Sequence, residues 1–139
     1  MGRWRVLPLV LAMTLPACSD PGGMARDLYV AVVVADSAVS HTDTIELKTL
    51  VTNISTRAIS IQWNGCNAHY ELIDPAGRVV GPRAMHPCLS VLEFARLRPG
   101  ESHLFDYKLH FNPGMYRIRG VARTADRNYH SDPVEILVD

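Results

Sequence analysis

The sequence predicts an all-β domain, an antiparallel sandwich of seven to eight short strands that follows an N-terminal signal peptide. Three observations predict it. From residue 28 onward, apolar residues recur mostly at every second position, the spacing of a strand with one packed face and one wet face. Clusters of Asn, Asp, Pro and Gly break these runs at short intervals, as turns do. No stretch of ten or more residues carries an apolar stripe at helical spacing.

Residues 1–17 have the order of a secretory signal. Arg3 and Arg5 give a basic start, Val6 to Leu15 form a short apolar run, and small Ala17 precedes Cys18. A membrane-spanning helix needs about 20 apolar residues; this run is shorter, and Pro8 and Pro16 would interrupt it. Residues 18–27 read as a tether, because Ser19 to Asp27 (SDPGGMARD) is rich in Gly, Pro and polar side chains. Such a segment extends to at most about 30 Å, so the domain at 28–139 is held close to whatever carries residue 18.

The strands follow in order. Leu28 to Ala35 (LYVAVVVA) is apolar and β-branched. Thr44 to Asn53 places Ile45, Leu47, Thr49 and Val51 on one face and Glu46, Lys48 and Thr52 on the other. Ala58 to Trp63 and His69 to Ile73 continue the period of two. Ser102 to Phe111 sets His103, Phe105, Tyr107, Leu109 and Phe111 against Asp106, Lys108 and His110. Tyr116 to Arg123 sends Tyr116, Ile118 and Gly120 one way and Arg117, Arg119 and Arg123 the other, and Val134 to Val138 closes the series. Turns are expected at 53–56, 74–77, 98–101 and 112–114, and the stretch from 81 to 92 is the least regular.

Removing residues 1–17 leaves 122 residues, a comfortable single domain, with 12 basic against 14 acidic side chains and a net charge of −2. Nucleic-acid binding calls for a basic face, and none is visible. With Cys18 set apart, Cys66 and Cys88 remain as an even pair, and in an oxidising compartment a disulfide is expected. The alternative is a zinc set, since His69 and His86 flank the two cysteines and would complete two sulfurs and two nitrogens.

The segment Leu15-Pro16-Ala17-Cys18 resembles the lipobox of bacterial lipoproteins, with Pro16 standing where Ala or Ser is more usual. The resemblance implies cleavage before Cys18, lipid on its thiol and a membrane anchor in the cell envelope. Ser19 in place of Asp implies the outer membrane. The competing expectation is an ordinary secreted protein. In the domain itself, Val51-Thr52-Asn53-Ile54-Ser55, Asp74 to Val80, Leu97-Arg98-Pro99-Gly100-Glu101 and Pro113 to Ile118 resemble the BsuPI-type intracellular proteinase inhibitor family. That likeness implies an Ig-like sandwich, with the Tyr116 ring packed across it.

For chemistry, the chain has no Gly-x-Ser-x-Gly elbow, no His-Glu-x-x-His and no phosphate-cradling glycine loop. His41, His103, His110 and His130 read as surface or half-buried residues. Asn53-Ile54-Ser55 fits a glycosylation sequon and is read as a turn. Trp63 is expected to pack in the core, with an exposed binding edge as the alternative. No cofactor, bound metal or catalysis is expected. The function anticipated is a non-catalytic binding or structural module with a protein partner; the alternative is an inhibitor of an envelope or secreted protease.

Overall fold

Among the described residues, alternating β-branched and aromatic side chains build eleven strands: β1 Leu28–Val34, β2 Ala38–Val39, β3 Ile45–Asn53, β4 Ile59–Gln62, β5 Tyr70–Ile73, β6 Val79–Gly81, β7 Phe94–Leu97, β8 Ser102–Leu109, β9 Gly114–Arg123, β10 Asn128–His130 and β11 Val134–Val138. The computed structural model describes residues 26–63, 67–82 and 93–139. The expected signal peptide, Cys18 with its expected lipid, the expected disulfide pair Cys66 and Cys88, and His86 lie outside them. Of the eight strands of four or more residues, seven correspond to the stretches expected and β7 does not; β2, β6 and β10 add pairs and triplets too short to show periodicity.

Three sheets form an all-β sandwich. One has the order β1-β3-β8; the second runs β2-β11-β9-β5-β6 with β10 also on β9; the third is the ribbon β4-β7. Neighbours are antiparallel except β2 and β11, which run parallel. The faces are those expected from the alternation. Ile45, Leu47, Thr49 and Val51 of β3 are buried, and Glu46 and Lys48 are exposed. On β8, Phe105 is buried and His103, Tyr107 and Leu109 partly so, while Ser102, Leu104, Asp106 and Lys108 are exposed.

The inward faces fill two clusters, one around Val30, Val51, Ile61 and Phe105, the other around Leu47, Tyr70, Ile118 and Ile136; Tyr107 packs against both. Gly120 sits where β9 crosses the first sheet. A Cβ there would lie 2.9 Å from Thr49 Cγ2 and 3.1 Å from Val30 Cγ1, so only hydrogen fits without displacement.

Turns occur where the punctuation places them. Gly77 and Gly100 have φ of 82° and 78°, a left-handed conformation that costs other residues energy. The Gly77 N–H donates to Asp74 O at 2.9 Å, and the Glu101 N–H to Arg98 O at 3.0 Å. The Tyr116 hydroxyl donates to Asn112 O at 2.8 Å, the tie of a tyrosine corner in an immunoglobulin-type sandwich. Tyr116 is only half-buried, its ring 4.6 Å from that of Phe111.

Asn53, fully buried at the end of β3, fastens the 54–57 turn to the ribbon. Its Nδ2 donates to Arg57 O at 2.7 Å and Leu97 O at 3.0 Å, and its Oδ1 accepts from the Ser55 N–H at 2.9 Å and hydroxyl at 2.8 Å. All polar atoms of that amide are thereby engaged, which is why Asn53-Ile54-Ser55 is a turn.

Candidate functional site

β8 is the last strand of its sheet, and among the described residues no strand pairs with its outer edge. Its inward face carries His103, Phe105 and Tyr107 in succession, because a strand returns to the same face every second residue. Opposite this edge runs the segment Asn67 to Tyr70, which leads into β5, and Trp63 stands just beyond β4. Between them lies a groove of about 340 Å³ lined by these residues, within the size range of small ligand sites.

The groove is lined with rings. Trp63 meets His103 edge-on at 5.9 Å, His103 meets Phe105 at 4.6 Å, and Phe105 lies flat against His69 at 3.6 Å with 14° between planes. Tyr107 and Tyr70 continue the series at 4.9 Å. The edge-on contacts are those that aromatic quadrupoles favour, whereas His69 and Phe105 stack nearly face to face. Trp63 is 48 % exposed, which corrects the expectation that it packs in the core. Its position is fixed instead by β7's approach: its Nε1 donates to Glu93 Oε2 at 3.1 Å and its N–H to Glu93 O at 3.0 Å. The indole is thus hydrogen-bonded at its Nε1 edge with about half of its surface in water.

His69 forms the floor. The residue is 2 % exposed, and neither ring nitrogen has a hydrogen-bond partner among the described residues. Burial, then Arg123, holds its pKa at about 4, below the usual 6.5, with the nearby Val121 backbone opposing the shift and His103 adding to it. The ring is neutral at pH 7. Its backbone is pinned, with the His69 N–H donating to the Tyr107 hydroxyl at 2.8 Å and the Val121 N–H donating to His69 O at 2.9 Å. Burial raises the pKa of the Tyr107 phenol, so the hydroxyl keeps its proton. A neutral, unpartnered imidazole is able either to donate or to accept a hydrogen bond.

A charged cluster backs the floor. Arg119 Nε and Nη2 each lie 2.8 Å from Glu71 Oε2, with Arg123 Nη2 3.8 Å from Oε1 and His130 Nε2 3.4 Å from Oε2. Arg123 also donates to Ala68 O at 2.6 Å. Burial lowers the pKa of Arg123, against the pull of Glu71. His130 is lowered by burial and by Arg119, with Glu71 opposing. These bonds hold the 68–71 segment, and through it His69, against β9.

Of the residues singled out in the sequence, His69 and Trp63 come to the groove, and His103 joins them. His41 and His110 are exposed elsewhere, bonded to Asp139 O at 2.9 Å and to Thr44 Oγ1 at 3.2 Å. Among the described residues no three His, Cys, Asp or Glu side chains gather as a metal site; for the alternative zinc set, Cys66, His86 and Cys88 lie outside those residues. The sequence named the His103–Tyr107 face only as packing. The signal that marks it is an unbroken aromatic alternation on one strand face.

No protein-family model matches the chain, and no curated protein matches it. Solved structures do. The chain is similar to the sporulation control protein Spo0M from Bacillus subtilis, with 13% identity, a TM-score of 0.54, 82% of this chain covered and 50% of that one. It is similar also to the structural-genomics target SoR45, with 10% identity, a TM-score of 0.53 and coverage of 84% and 90%. The chain thus spans about half the length of Spo0M. At such identities the likeness is one of fold, and it agrees with the all-β sandwich.

Proposed function

We propose that this chain is a membrane-anchored envelope lipoprotein whose sandwich is a non-catalytic binding module, with the groove along β8 as its contact surface for a protein partner. The lipobox-like Leu15-Pro16-Ala17-Cys18 supports the anchor. The observation that carries the binding role is the pairing of a half-exposed Trp63, hydrogen-bonded to Glu93, with a buried His69 whose ring nitrogens make no hydrogen bond among the described residues. Exposed aromatics fixed in place are efficient anchors, because little side-chain freedom is lost on contact. The outer edge of β8 adds backbone donors and acceptors to which an extended segment can pair.

The test is capture from native envelope with the mature chain and its Trp63→Ala variant. A partner recovered reproducibly by the first and lost with the second supports the proposal; equal recovery, or none with either, sinks it.

A second reading is an inhibitor of an envelope or secreted protease. It draws on the BsuPI-type likeness; of the segments that carry it, Asp74–Gly77 and Arg98–Glu101 form hydrogen-bonded turns with a left-handed glycine. A panel of serine and metalloproteases tests it, and uniform inactivity refutes it.

A further inference from the structure

We infer that the outward face of the β1-β3-β8 sheet rests on the phospholipid surface to which the chain is tethered, an inference that depends on the lipid anchor at Cys18. The outer face of an exposed antiparallel sheet is ordinarily polar, and part of this one is not. Register places Tyr29 opposite Thr52 and Ser102, Ala31 opposite Leu50 and Leu104, and Val33 opposite Lys48 and Asp106. Tyr29 and Val33 are each 55 % exposed, Leu104 45 %, and Ile54, just past β3, 54 %. With the half-buried Ala31 and Leu50 they form one continuous apolar field across three strands, the kind of exposed patch that marks a contact surface.

The field is graded along the strands. The Lys48–Asp106 pair, at 3.7 Å, and Glu46 opposite Lys108 stand at the far end. The tether arrives at the other end, where Tyr29 and Ile54 flank the Thr52–Ser102 hydroxyl pair and the Asp27–Arg57 ion pair. The Ile54 N–H donates to Asp27 O at 3.0 Å, and Arg57 Nη2 lies 2.8 Å from Asp27 Oδ2. Asp27 is therefore clamped beside Ile54 and Tyr29, and only Ser19 to Arg26 separate it from Cys18. A tether of that length confines the domain to within about 30 Å of the bilayer, and the surface nearest its attachment is the apolar one. Such a field gains by burying itself at the boundary of headgroups and acyl chains.

Depth-dependent quenching tests the inference on the mature, lipidated chain in phosphatidylcholine vesicles with brominated acyl chains. Signal cleavage removes Trp4, leaving Trp63 as the background that the native chain measures. A Tyr29→Trp variant adds a reporter in the field. Its added emission should fall roughly twofold or more on bromination, as expected for a ring at the acyl boundary, and that loss should vanish when Val33→Glu and Leu104→Glu are introduced with it. A variant that floats with the vesicles yet shows no added quenching overturns the inference and leaves the anchor standing. Blue-shifted but unquenched emission also overturns it, since another protein surface then covers the field. Quenching that survives both glutamates does the same, and a native chain that fails to float removes the anchor and the inference together.

Discussion

In the folded chain His69 holds its pKa at about 4, against 6.5 for the free imidazole, so acid is a perturbation to which the groove must respond. The unfolded chain takes up a proton at this residue as the pH falls through about 6.5, whereas the folded chain resists until about 4. Stability contributed by the neutral ring is therefore complete above the upper value and lost steadily between the two. A gap of about 2.5 in pKa, at about 1.4 kcal/mol per tenfold, is on the order of 3 kcal/mol. That is a large share of the roughly 5–15 kcal/mol by which domains are stable. His130 is lowered as well, by burial and then Arg119, and adds to the loss in the same direction. A His69→Leu variant separates the two, since leucine is apolar, of similar bulk and cannot titrate. Urea unfolding of both proteins at several pH values between about 7.5 and 3.5 is the assay. The native chain should lose more stability than the variant over this range, by on the order of 3 kcal/mol. Parallel curves would refute the reasoning, because they would mean that the ring is protonated without cost where it sits.

Other substitutions give sharper structural tests. Asn53→Ala removes the amide donor to Leu97 O, one of two donors to Arg57 O, and the acceptor of the Ser55 N–H, and should cost about 3 kcal/mol in urea unfolding. Gly120→Ala drives a methyl against Thr49 and Val30 and should cost about 1–3 kcal/mol, read as a lowered melting temperature. Thr49→Ser with Gly120→Ala should recover part of that loss, because it removes the nearer methyl. Trp63→Ala should change stability by no more than about 1 kcal/mol, since its ring is half in water, while abolishing partner capture.

Most of the strand framework was legible because its signals are local. Thr44 to Asn53 and Ser102 to Phe111 announce their faces through a period of two, and the observed β3 and β8 keep those faces. β2 and β10 escaped notice for the same reason: Ala38–Val39 and Asn128–His130 are too short to complete a period. The parallel contact of β2 with β11 joins residues nearly a hundred positions apart, and no local pattern encodes it. The groove was legible only in pieces. His103, Phe105 and Tyr107 were placed on one face, and His69 was noticed for its neighbour Cys66. Their meeting depends on how β5 crosses to β9 beside the edge of β8, which is a tertiary fact. Trp63 shows the limit most clearly. A large apolar side chain at a strand end looks like core, yet whether it is covered depends on where the partner ribbon stops, and β7 begins beside it at Phe94.

The Asn53 amide has a practical consequence for producing this protein. Asn53-Ile54-Ser55 is an acceptor for eukaryotic N-linked transfer, which acts on chains during translocation, before they fold. A sugar on Nδ2 would occupy the atom that binds Arg57 O and Leu97 O, and the site has no room for it. Secretion from yeast or mammalian cells should therefore yield glycosylated, misassembled chains. Expression in bacteria, or Asn53 sequon removal by Ser55→Ala at the loss of the hydroxyl's contacts with Asn53 Oδ1, Arg57 O and the Arg57 N–H, is the safer route.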